Sequence, residues 1–159
     1  MAAAVGSKAP DFTLKSHELK DVTLSTALQG RPTVLAFFPA AFTSVCTKEL
    51  CTFRDQMARL NELNVQVFGV SVDTPFTLKV FAERNALNFP LLSDFNKDVI
   101  TAYDVYLDEL LGLKGLSKRA VFLIDEDGII RYSEVTPTLG DEPDYAKLDA
   151  AVSALGQPA

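Results

Sequence analysis

The chain has 159 residues, 48% hydrophobic and 23% charged, with 8 Gly, 8 Pro and a net charge of −6. That length suits one domain over residues 1–159, with a core large enough to need no covalent staples. The acidic balance, with no Lys/Arg cluster, argues against nucleic acid or an anionic membrane surface as a partner.

The opening stretch "MAAAVGSKAPDF" has neither a basic nor an apolar leader region, so no secretory signal is expected. The longest apolar run, "TVLAFFPAAF", is too short to span a bilayer and contains Pro39. Two cysteines and one histidine supply neither a disulfide scaffold nor a convincing zinc set. The expectation is a reducing cytoplasm, where closely spaced thiols are more often reactive than structural, and a site without metal or cofactor.

In chain order, "DFTL" and "DVTL" alternate on either side of "KSHELK" and predict an N-terminal β-hairpin. "TVLAFF" is a continuous β-rich apolar run, the pattern of a strand covered on both faces. A helix is predicted from about Thr43 to Leu63, then a second buried strand, "VQVFGVSV". "TPFTLKVFAERN" reads as a helix with Pro75 in its first turn. A short strand at "FPLLSD" and a helix near "KDVITAY" follow. "VYLDELLGLKGLS" fits no element cleanly and reads as a loop or short helical insertion. "RAVFLID" and "GIIRYSEV" flank "EDG", a hairpin signal, and a helix from Tyr145 to Leu155 closes the chain. This order predicts an α/β thioredoxin-like fold: a central mixed β-sheet flanked by helices, with the N-terminal hairpin as an extension.

Both cysteines lie in the helix that follows "TVLAFF". At about 100° per residue, Cys46, Leu50, Phe53, Met57 and Leu60 share one line to within about 40°. Cys46 can therefore be read as a small hydrophobe in a buried stripe. Its place along the helix points to chemistry instead. With Thr43 as N-cap, Cys46 falls in the first turn, where free N–H groups and the helix dipole stabilise a thiolate. That turn also lies at the C-terminal edge of the sheet, where α/β proteins place ligands. Cys51 falls about 140° further round, towards Lys48 and Asp55, as either a bystander or a partner thiol. The two Cα atoms would be about 8.7 Å apart in an intact helix, beyond the ~7 Å reach of a disulfide.

Other candidates are weaker. His17, inside "KSHELK", reads as a solvated loop residue, and "GVSVD" lacks the second glycine of a nucleophile elbow. There is no dinucleotide fingerprint and no phosphate loop. Activation of Cys46 must come from the helix end and a cation. Arg119, opening "RAVFLID", is the candidate, although a charge at a strand end is often only a surface feature.

"PAAFTSVC" carries P-x-x-x-T-x-x-C, and the chain resembles the peroxiredoxins, also through "APDFTL", "FPLLSD" and "RAVFLIDEDGIIR". It is similar to the small thioredoxin-fold group spanning bacterioferritin-comigratory (PrxQ-like) and AhpE-like members. The resemblance implies a cofactor-free thiol peroxidase for hydrogen peroxide and small organic hydroperoxides. By the same resemblance Cys46 is the peroxidatic cysteine and Thr43 orients thiolate and peroxide. Pro39 would shield the sulfenic acid, Arg119 stabilise the thiolate and the developing charge, and Glu49 hold Arg119. Cys51 occupies the place of the PrxQ-type resolving cysteine, whereas AhpE-like members can lack it. Thioredoxin or a glutaredoxin-like protein is the implied reductant, and a homodimer is possible in the family. The rivals are a one-Cys peroxiredoxin, a thiol–disulfide oxidoreductase (whose C-x-x-C is missing) and a non-catalytic thioredoxin-fold binding or chaperone protein.

Overall fold

A computed structural model describes residues 3–155, so residues 1–2 and 156–159 of the expected domain lie outside the described residues. The chain opens with strands β1 (Thr13–Ser16) and β2 (Asp21–Thr23), a short helix α1 (Leu24–Ala27) and strand β3 (Thr33–Phe37). Helix α2 (Ser44–Glu62), strand β4 (Gln66–Ser71), helix α3 (Pro75–Arg84), strand β5 (Leu91–Ser93) and helix α4 (Asp98–Ala102) follow. Strands β6 (Tyr106–Leu107), β7 (Leu116–Ser117), β8 (Ala120–Ile124) and β9 (Ile130–Val135) precede helix α5 (Tyr145–Leu155).

Seven strands form one sheet in the order β2-β1-β5-β4-β3-β8-β9. The three central strands β5, β4 and β3 run parallel, and antiparallel pairs flank them on both sides. This is the mixed thioredoxin-like sheet expected, and the N-terminal hairpin joins it through β5. Every residue of β3 is buried, because helices cover both faces. Val34, Ala36 and Phe38 pack with Leu50 and Phe53 of α2, Phe81 of α3 and Leu148 of α5. Leu35 and Phe37 point the other way, into a layer with Leu24 and Ile100 from α1 and α4. On the α2 side a side chain at position 69 would have to displace Leu91. A Cβ on Gly69 would stand 2.7 Å from Leu91 Cδ2. Among the described residues, no helix is long and apolar enough to cross a membrane.

Two expectations are corrected. "VYLDELLGLKGLS" forms no helix: β6 pairs with β7, Tyr106 opposite Ser117, and Leu110 bridges Leu113. Positive φ at Leu111, Gly112 and Gly115 turns the chain back, overriding the helical preference of a leucine-rich run. His17 is not simply solvated. It is partly buried, its Nδ1 accepts from Leu91 N–H at 3.1 Å, and its own N–H donates to Leu91 O at 2.8 Å, pinning the hairpin turn to β5.

Candidate active site

The loop leaving β3 climbs from the C-terminal edge of the sheet into α2. Pro39 is buried at its base. Ala41 N–H donates to Asp73 Oδ2 at 2.8 Å, and the Ser71 hydroxyl donates to the same oxygen at 2.7 Å. Phe42 then adopts φ 69°, left-handed backbone that a bulky residue rarely takes. Its ring meets Phe81 edge-on at 5.1 Å, and the Arg84 guanidinium carbon lies 5.9 Å from the Phe42 ring centre.

Thr43 occupies the N-cap position of α2 in extended backbone, but its side chain makes no cap bond. The hydroxyl instead donates to Ala40 O at 3.1 Å. The first turn, Ser44 to Cys46, thus keeps backbone N–H groups that no helical carbonyl can reach. Cys46 has no exposed surface and is a free thiol. Both readings of it meet here: it is the first rung of the buried stripe with Leu50, Phe53, Met57 and Leu60, and it sits at the positive end of the helix.

Strand register delivers Arg119 to this end. Phe37 pairs with Ala120, so Arg119 stands opposite Phe38, and alternation turns it to the same face as Val121, the face that α2 covers. Arg119 is 2% exposed, not a surface charge. Its Nε and Nη2 both donate to Leu139 O, at 3.1 and 3.0 Å. Its Nη1 stops 3.6 Å from Glu49 Oε2 and has no hydrogen-bond partner. Glu49 follows Cys46 by three residues, so their side chains are neighbours on one helix face. The guanidinium therefore lies beside Glu49, three residues past the thiol on α2, with its Nη1 left without a hydrogen-bond partner.

Glu49 is wholly buried, and neither of its oxygens accepts a hydrogen bond. Burial pushes its carboxyl up to about 8, with the Arg119 charge pulling the other way. Outside this pair, Lys48 bridges to Glu142 at 3.1 Å, tying the first turns of α2 to the segment between β9 and α5.

Cys51 lies round α2 from Cys46, on the side the helical wheel gave it with Lys48 and Asp55, and is only partly exposed. It is half-buried against the end of α3, with its Sγ 3.8 Å from Asn85 Oδ1, and Arg54 Nη1 donates to Asn85 O at 2.7 Å. Both thiols are free, and α2 runs unbroken through them. The structure thus gathers Pro39, Thr43, Cys46, Glu49 and Arg119 around the head of α2, with Cys51 on another side of the same helix. Asp73, Phe42 and Leu139 were missed by sequence reasoning. Only Asp73 left a signal, as a polar residue just past the carboxyl end of a parallel strand.

The model of the AhpC/TSA family matches residues 5–133. The chain is a peroxiredoxin of that family. It is 37% identical to alkyl hydroperoxide reductase E of Mycobacterium bovis over 153 residues, covering 95% of this chain and 97% of that protein. It is also 37% identical to a chloroplastic 2-cysteine peroxiredoxin of Chattonella marina over 145 residues, or 85% of this chain and 72% of that one. Among solved structures, peroxidoxin BcpB of Mycobacterium tuberculosis superposes with a TM-score of 0.82 at 32% identity, over 96% of each chain. A peroxiredoxin-like protein of Aquifex aeolicus gives 0.86 at 32% identity, over 95% of this chain and 86% of the other. As a peroxiredoxin, the protein is a thiol-dependent peroxidase on a thioredoxin-like fold.

Proposed function

We propose that this peroxiredoxin reduces hydrogen peroxide and small organic hydroperoxides by an atypical two-cysteine cycle confined to α2. The Cys46 thiolate attacks one peroxide oxygen and the O–O bond breaks. The sulfur gains that oxygen as a sulfenic acid, and the other oxygen leaves as water or an alcohol after taking a proton. Arg119 stabilises the thiolate and the charge developing on the peroxide oxygens. Glu49 holds the guanidinium, Thr43 orients thiolate and peroxide, and Pro39 shields the sulfenic acid. The Cys51 thiol then attacks the oxidised sulfur, water leaves, and a disulfide forms. A dithiol reductant, thioredoxin or a glutaredoxin-like protein of the cytoplasm, restores both thiols. The observation that carries this reading is the unpartnered Nη1 of a buried Arg119, 3.6 Å from Glu49 on the helix whose first turn holds a buried, free Cys46.

The test is mass spectrometry of the protein after one equivalent of peroxide, with Cys46→Ser and Cys51→Ser in parallel. Wild type should lose two hydrogens as a Cys46–Cys51 bridge, and Cys46→Ser should consume nothing. Cys51→Ser should consume about one peroxide per chain and stall as the sulfenic acid. Unchanged reductant-driven turnover in Cys51→Ser would make the enzyme one-Cys and Cys51 a bystander.

A further inference from the structure

We propose that Asp73 is a positioning residue for the peroxide step, acting through the Ala41–Phe42 turn. Two facts meet there. Phe42 holds a left-handed backbone conformation, which a residue with a large side chain adopts only when its surroundings over-determine it. The backbone immediately before it, Ala41 N–H, is fixed by Asp73 Oδ2 at 2.8 Å.

Asp73 is itself well anchored to the sheet. The Ser71 hydroxyl donates to Oδ2 at 2.7 Å and accepts from Asp73 N–H at 3.2 Å. Ser93 Oγ, at the end of β5, donates to Asp73 O at 2.6 Å. The carboxyl group is thus a rigid bracket at the carboxyl ends of β4 and β5, aimed at one amide of the loop. Everything after that amide depends on it: the strained Phe42, then Thr43, then the first turn with Cys46. Phe42 has its own contact on α3, through Phe81, so the turn is held at two points. If the bracket is removed, the left-handed residue can relax, and Thr43 and the head of α2 shift together. Displacements of about 1 Å in such a setting can slow a reaction by ~10²-fold.

An oxygen acceptor, not its charge, is what the geometry needs. The amide oxygen of an asparagine also has two lone pairs and can take both donors. Asp73→Asn should therefore preserve the turn, whereas Asp73→Ala should free it. This proposal rests on Cys46 as the nucleophile but not on Cys51. The measurement is the first peroxide consumed, before any reductant is added, compared across wild type, Asp73→Ala, Asp73→Asn and Ser71→Ala.

Asp73→Ala should slow that step by at least about tenfold, with faster hydrogen exchange at the Ala41 amide. Asp73→Asn should stay within about threefold of wild type with Ala41 protection retained, and Ser71→Ala should fall between the two. A folded Asp73→Ala as fast as wild type would overturn the proposal, as would an Asp73→Asn as slow as the alanine. If Asp73→Ala does not fold, Ser71→Ala at the full wild-type rate and with unaltered Ala41 exchange would overturn it instead. A wild type that consumes no peroxide would be a failure of the nucleophile assignment, which the same assay reads separately.

Discussion

Glu49 is a carboxyl group with no exposed surface, set in an apolar stripe and touched by one cation at 3.6 Å. Desolvation outweighs that cation, so its pKa rises from an ordinary 4.5 to about 8. Between those values the folded chain keeps a proton that the unfolded chain has released. The stability this contributes is whole below 4.5 and is lost as pH rises through about 8. Denaturant unfolding between pH 5 and 8.5 should show wild type losing stability relative to Glu49→Gln, by on the order of a few kcal/mol. Parallel curves would mean that Glu49 is ionised in the folded chain throughout. For Arg119, truncation to alanine should slow the peroxide step by ~10²-fold or more, the usual loss when a preorganised donor goes. Arg119→Lys should recover only part of this, since one ammonium cannot reproduce the two bonds to Leu139 O while also reaching towards Glu49. Stopped-flow peroxide consumption reads both. At this scale, Arg119 was legible as a cation opening an apolar strand and Glu49 only through the resemblance; strand register and helix spacing account for where the two meet. Phe42 was not, since its conformation opposes its own local preference and is imposed by Asp73 and Phe81.

Helix α2 has to be both support and moving part if its two cysteines join. The Cα atoms must approach by nearly 2 Å, from about 8.7 Å to under ~7 Å, which an intact helix cannot allow. The turns from Thr43 to Cys51 must open, breaking Thr47 N–H to Thr43 O and the Lys48–Glu142 bridge. Hydrogen exchange should thus be faster between Thr43 and Arg54 in the disulfide form, while Met57 to Leu63 stays protected by the buried stripe. Equal protection, with the bridge verified, would sink the unwinding model. The long elements were readable because each buries a periodic face, and α2 falls within one residue of its expected ends. Helix α1 was missed because its four residues are too few to show a period. The β6–β7 hairpin was missed because its fold depends on glycines and Leu111 at positive φ, which hydrophobic spacing does not report.

The whole molecule is a sheet between two helical layers, and the nucleophile belongs to one of them: Cys46 shares its cluster with Phe38, Leu50, Phe53 and Phe81. In the proposed cycle, withdrawing it to meet Cys51 would take a rung out of the core and undo about two turns of helix. In return, a bridge across so short a loop restricts the unfolded chain by only about 2 kcal/mol. Oxidation should therefore lower the melting temperature, the reverse of what a disulfide usually does, and calorimetry of the two forms checks this. An oxidised form that melts higher than the reduced one would contradict it. The buried thiol then has a redox meaning. In the proposed cycle folding energy would favour the dithiol, so the oxidised state would be spring-loaded: its bridge would have a relatively high reduction potential and give up its oxidising equivalents readily to any competent dithiol. The packing that hides Cys46 would then also be what resets it.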